Sequence, residues 1–129
     1  MALQIKTTQK ALSAYLISCS GRLDSETAPL LEKEVRQLLQ KSPKVLALDM
    51  EHIDYMSSAG VRVLLIAYKA MKELGGKVAL LKLQPQIKKV LEIINALPEQ
   101  KIFKDISELD AYLDTMQKKI LDDEVDKVS

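Results

Sequence analysis

The chain has 129 residues, 47% of them hydrophobic, a size and composition that suit one domain with one core. Its 19 basic and 18 acidic residues leave a net charge of +1, and four Tyr, one Phe and no Trp offer no base-stacking platform, so no nucleic-acid partner is expected. Cys19 is the single cysteine, which rules out an intrachain disulfide and leaves a zinc site short of ligands; no cofactor is expected either.

The start of the chain carries no basic segment followed by a long apolar one. Apolar stretches such as residues 61–67, broken by Arg62, fall far below the roughly 18 residues that span a bilayer. The expectation is a soluble cytoplasmic protein without membrane insertion.

In chain order, residues 3–6 alternate apolar and polar as an exposed edge strand does. Residues 12–20 follow as a second strand, with Tyr15, Ile17 and Cys19 on one face and Ala14, Leu16 and Ser18 on the other, and Gly21 as its stop. Asp24, Ser25 and Thr27 are candidate N-caps for a helix that tolerates Pro29 in its first turn. Ala28, Leu31, Val35, Leu38 and Leu39 recur at helical spacing through Gln40, and Ser42-Pro43 ends that helix. The short apolar run 45–48 predicts a central strand covered on both faces, with residues 49–56 as its exit.

Ser57-Ser58-Ala59-Gly60 opens the next helix, whose predicted inner stripe is Val61, Leu64, Leu65, Tyr68 and Met71, and Gly75-Gly76 stops it. Residues 77–83 form the following strand. Pro85 starts a helix with Ile87, Val90, Leu91 and Ile94 inward, and Ile102-Phe103 is a brief final strand. From Ser107 a capping-box pattern opens a last helix carried by Leu109, Tyr112, Leu113, Met116 and Ile120. The order β-β-α-β-α-β-α-β-α implies an α/β domain over residues 1–121, with a mixed sheet of four to five strands, about four helices packed against it, and a charged tail over residues 122–129.

In open α/β sheets, chemistry gathers beyond the carboxyl ends of the strands, where the turn after residues 45–48 brings Ser57, Ser58, Ala59 and Gly60. A hydroxyl at a helix start lies beside unpaired backbone N–H groups and the positive end of the helix dipole. A phosphate placed there is stabilised by those donors and adds roughly −1.5 to −2 charges to one spot on the surface. That is enough to expel a partner docking with acidic or apolar groups. The plainer reading is a serine N-cap, with Ala59 and Gly60 small because the turn is tight. On the residues alone both readings stand.

The stretch 45–65, VLALDMEHIDYMSSAGVRVLL, resembles the signature of STAS domains of the anti-sigma factor antagonist type. Gly21-Arg22-Leu23-Asp24, the Gly75-Gly76 stop and the helix entry Leu83-Gln84-Pro85-Gln86-Ile87 are similar to that family too, so the resemblance covers about residues 3–116. It implies the STAS fold and a bacterial partner-switching mechanism. In that mechanism the unphosphorylated antagonist binds an anti-sigma factor that is also a serine kinase, and so frees the sigma factor. The kinase uses ATP to phosphorylate the antagonist, which breaks the complex, and a PP2C-type phosphatase reverses the step.

The family motif commonly reads Asp-Ser-Ser/Thr-Gly. Aligned on Gly60, the acceptor is Ser58, with Ser57 in the place of Asp and Ala59 in the place of Ser/Thr; Ser57 is the lesser candidate. The resemblance thus implies a kinase substrate rather than an enzyme, with a docking surface that includes Asp24, Met56, Ser57, Ser58, Ala59, Gly60 and Arg62. The alternative is a non-switching STAS subunit of a lipid-transport or transporter assembly, in which the serine is only a cap. A small hydrolase using Ser58 as nucleophile lacks the Gly-x-Ser-x-Gly elbow.

Other residues have plainer readings. Asp24 also suits a turn or cap, Asp49 and Asp54 a solvated loop, and Arg62 a solvated helix face as readily as an acidic patch on a partner. His52 has no triad partners placed by motif. Gly75-Gly76-Lys77 fails the phosphate-loop pattern because Met71 and Val78 stand where Gly and Ser/Thr are needed. Cys19, Met56 and Met71 suit packing, with Met56 also a source of adaptable contact area. The pairs Lys88-Lys89 and Lys118-Lys119 suit solvated helix faces.

Overall fold

The computed structural model describes residues 3–96 together with 111, 114, 115 and 117–119. A hairpin comes first, β1 (Gln4–Ala11) and β2 (Ala14–Leu23), turning at Leu12, which is 90% exposed, and Ser13. Then follow α1 (Ala28–Leu39), β3 (Val45–Met56), α2 (Ser58–Glu73), β4 (Lys77–Leu81) and α3 (Pro85–Ala96). The sheet runs β1-β2-β3-β4, with β1 antiparallel to β2 and the other neighbours parallel. Each parallel step crosses through a helix, because parallel strands cannot be joined by a tight turn.

The register builds the core. Tyr15 and Ile17 of β2 stand beside Leu46 and Leu48 of β3, which stand beside Val78 and Leu80 of β4, so one face of the sheet is a continuous apolar surface. Leu31, Val35 and Leu38 of α1, Val61, Val63 and Leu64 of α2, and Ile87 and Val90 of α3 pack with it as one cluster. Leu46, Leu48, Met50, Ile53 and Met56 are fully buried, each contributing about 1.5–3 kcal/mol of hydrophobic stabilisation. The opposite face is only half covered: Leu16, Ala47 and Ala79 are half-buried, and Val45 and Leu81 are exposed. The expected covering of β3 on both faces is therefore complete on one face alone.

Several expected boundaries move. β1 extends past residue 6 because pairing with β2 supplies its hydrogen bonds, whatever its own polarity. β2 does not stop at Gly21, which sits inside the strand with φ 123°, beside a shift in the β2–β3 register. Glycine permits that backbone at no steric cost, so it marks a bulge and not an end. Residues 49–56, expected as an exit, are strand, and β4 ends at Leu81 rather than 83.

On α2 the buried face is Gly60, Val61, Val63, Leu64, Ala67 and Met71, whereas Leu65 and Tyr68 of the expected stripe are 55% and 44% exposed. Val63 and Ala67 are buried instead, within the one apolar cluster that also takes in Leu31, Val35 and Leu38 of α1. Thr27 occupies the N-cap of α1 but makes no side-chain cap bond; its own N–H donates to Asp24 Oδ1, and its carbonyl accepts from the Leu30 N–H. Ile102-Phe103 and the tail at 122–129 lie outside the described residues. So do Leu109, Tyr112, Leu113, Met116 and Ile120 of the last helix, although 111, 114, 115 and 117–119 are helical.

Candidate functional site

β2 and β3 end side by side, with Leu23 paired to Met56, and the chain passes from β3 into α2 through Ser57 alone. Ser57 is the N-cap. Its backbone is extended (φ −95°, ψ 178°), its N–H donates to the Leu23 carbonyl at 2.8 Å, and its Oγ accepts from the Ala59 N–H at 3.2 Å. Its carbonyl accepts the first helical bond, from the Val61 N–H at 3.1 Å. Ser57 is thus 6% exposed and engaged on every side, whereas Ser58, the first residue of α2, is half-buried at the helix start.

So short a connection requires close approach. A Cβ on Gly60 would lie 2.9 Å from both Leu23 Cβ and Met56 Cγ, so the small residue follows from the strand ends packing beneath the first helical turn. Met56 is held again from the far end of the chain. Its N–H donates to Gln117 Oε1 at 2.8 Å, and Gln117 Nε2 donates to its carbonyl at 2.9 Å, with Gln117 2% exposed.

The neighbouring connection, from β2 to α1, contains a charge. Asp24 Oδ1 accepts from the N–H groups of Glu26 and Thr27 at 2.9 and 3.0 Å, and its Oδ2 meets Arg22 Nε at 3.2 Å. The Arg22 guanidinium lies 4.1 Å from the centre of the Tyr55 ring. Partial burial pushes the Asp24 carboxyl up, but the hydrogen bonds from Thr27, Glu26 and Arg22 together outweigh it and hold the group below its ordinary range. The Thr27 hydroxyl donates to the Arg22 carbonyl at 2.6 Å and accepts from the Asp24 N–H at 3.0 Å, which closes the loop.

Arg62, one turn into α2, is exposed and reaches back to α1, where its Nη1 meets Glu32 Oε1 at 2.9 Å and Arg36 Nε meets Glu32 Oε2 at 2.8 Å. The Arg36 hydrogen bond first, and then Arg62, lower the Glu32 carboxyl.

The structure therefore gathers Asp24, Met56, Ser57, Ser58, Ala59 and Gly60 at one end of the sheet. Asp24, Ser58 and Ala59 are half-buried, while Met56, Ser57 and Gly60 lie buried beneath them. Asp49 spends its Oδ1 on the Glu51 N–H, and His52 is exposed beside Glu51. Burial pushes the Cys19 thiol up to about 12, with Asp49 adding to the effect, so the thiol packs as an apolar group. Among the described residues no group of three or more His, Cys, Asp or Glu side chains could hold a metal ion, and no helix is long and apolar enough to cross a membrane. Sequence reasoning missed Gln117, the Arg22–Tyr55 stack and the Glu32 bridge. Local signals existed for Arg22, two residues before Asp24, and for the Glu32–Arg36 half of the bridge, at i,i+4 spacing on α1.

A family model for the STAS domain matches residues 3–109. The chain belongs to the STAS family. A Bordetella bronchiseptica protein assigned as the anti-sigma factor antagonist BtrV is 34% identical over 90 residues, which cover 69% of this chain and 78% of that protein. The anti-sigma F factor antagonist of Paenibacillus polymyxa is 24% identical over 79 residues, covering 60% and 68%. Among solved structures, the unphosphorylated form of the anti-sigma factor antagonist SpoIIAA superposes with a TM-score of 0.62 at 19% identity, over 70% of this chain and 83% of that one. The phosphorylated form of Bacillus SpoIIAA gives the same TM-score at 18% identity over the same shares. The STAS fold also matches a sulfate transporter family protein from Wolinella succinogenes, with a TM-score of 0.56 at 18% identity over 86% and 93%.

Proposed function

We propose that this STAS protein is an anti-sigma factor antagonist that works by partner switching and that Ser58 is its phosphorylated residue. The observation that carries the reading is the division of labour at the turn: Ser57 is the cap, with its hydroxyl committed to the Ala59 N–H, and Ser58 stands next to it at the positive end of α2. A phosphoryl group on Ser58 would be favoured by the helix dipole by about 0.3–1 kcal/mol, so the folded domain can carry it. The relatives that are anti-sigma factor antagonists, and SpoIIAA in its two forms, support the same reading.

In the forward step a serine kinase, itself the anti-sigma factor, transfers the γ-phosphoryl group of ATP to Ser58 Oγ. The Oγ–P bond forms as the bond to the bridging oxygen breaks, the hydroxyl proton passes to a base on the kinase, and ADP leaves. A PP2C-type phosphatase hydrolyses the ester. The docking surface is formed by Asp24, Ser58, Ala59 and Arg62, shaped from beneath by Met56, Ser57 and Gly60. The protein is a substrate in this cycle, not a catalyst.

A roughly −2 charge placed against acidic or apolar partner groups costs a few kcal/mol. Ser58→Asp, which sets one negative charge there, should therefore weaken binding to the kinase about tenfold or more in calorimetric titration, while Ser58→Ala stays within about threefold of wild type. Intact-mass analysis after incubation with kinase and ATP should show one phosphoryl group, mapped to Ser58. Equal affinity of the two variants defeats the proposal. So does an unmodified Ser58 in a chain that co-purifies with a membrane-transport assembly, which would establish the non-switching subunit instead.

A further inference from the structure

We infer that Gln117 is a positioning residue through which the C-terminal helical residues set the backbone that enters the switch turn. Met56 is the last residue of β3 and immediately precedes the cap of α2. Both of its backbone polar groups bond to the same buried side-chain amide, at 2.8 and 2.9 Å, across 61 positions of sequence. An amide presents its donor and acceptor on one rigid plane, so the two bonds are made or lost together. Buried as it is, a Met56 backbone without them would leave an N–H and a C=O unpaired.

The consequence travels a short way. The Met56 side chain is fully buried and lies where a Cβ on Gly60 would touch it, and the next residue's hydroxyl caps α2. Neither neighbour can keep its place if the end of β3 drifts, because the connection contains no slack. Docking of the C-terminal helical residues and the geometry of the turn are therefore one equilibrium. The functional half of this inference rests on Ser58 being the phosphorylated serine; the structural half does not.

The test uses the full chain as wild type, as Gln117→Leu and as Gln117→Met, both of which keep apolar volume and remove both bonds. Hydrogen exchange at single amides should rise about tenfold or more at Met56 in both variants, while Ile17 and Leu48 in the centre of the sheet keep their protection. The kcat for Ser58 phosphorylation should fall at least about threefold, with KM for the kinase nearly unchanged. Unchanged Met56 exchange overturns the inference, as does an equal rise at Ile17 and Leu48, which would reduce Gln117 to general stability. Faster Met56 exchange with wild-type phosphorylation kinetics overturns the positioning role and leaves the Ser58 reading standing. If the wild type accepts no phosphoryl group, it is the Ser58 reading that fails, and Met56 exchange still decides the clamp.

Discussion

Two strand-to-helix connections lie side by side at the carboxyl edge of the sheet, and they satisfy the same kind of backbone donor in different ways. Between β2 and α1 the chain takes residues 24–27 to turn, and the Asp24 carboxylate collects the N–H groups of Glu26 and Thr27 and the guanidinium of Arg22. Between β3 and α2 it takes Ser57 alone, a neutral hydroxyl. The first connection already holds its negative charge and its countercharge. The second holds none, so an added anion changes it most. In physical terms, a regulatory charge is best placed where a helix start is capped by a neutral group, next to a connection whose charge is fixed.

The largest expected effect tests how little room the neutral connection has. Gly60→Ala gains up to about 1 kcal/mol of helix propensity but forces a Cβ against Leu23 and Met56; overpacking of this kind costs about 1–3 kcal/mol. A net loss of about 1–2 kcal/mol is expected from the denaturant midpoint, whereas Ser25→Ala, exposed in the roomier connection, should stay within about 0.5 kcal/mol. Equal stability of the two variants would break the contrast in packing.

Next, Ser57→Ala removes the cap and should cost about 1 kcal/mol in equilibrium unfolding. No loss would mean that the hydroxyl is not what holds the turn. The smallest effect isolates the charge of the other connection. Asp24→Asn keeps an acceptor but drops the charge, and about 0.5 kcal/mol should be lost at pH 7. The folded-state carboxyl lies below its unfolded value. Its contribution is therefore present above the unfolded pKa of about 3.9 and disappears as pH falls through the folded pKa. Wild type and variant should converge in stability in that acid range; a gap that persists below it would assign the effect to geometry instead of charge.

Much of this was legible locally. The start of α2 at Ser57–Ser58, the span of α1 and the entry of α3 at Pro85 follow from capping residues and helical spacing, which need only neighbours within a turn or two. The docking surface was less completely legible. Met56 suited packing from the sequence and is fully buried, but nothing in the local pattern says that Ser57 would be almost wholly buried, because that depends on β2 ending beside it. The misjudged end of β3 has one cause: beyond residue 48 the strand carries Asp49, Glu51, His52 and Asp54, and its pairing with β2 shifts register twice, which hides the two-residue alternation.

By itself the sequence determined the class of fold, the order of its elements as far as α3 and the serine pair at the head of α2, because hydrophobic period and cap chemistry act over a few residues. Only the tertiary structure decided which side of α2 is inside, burying Val63 and Ala67 and leaving Leu65 and Tyr68 exposed. It alone joined Gln117 to Met56 across 61 positions. Contacts at that separation are set by how the layers stack, and no local preference of either residue announces them.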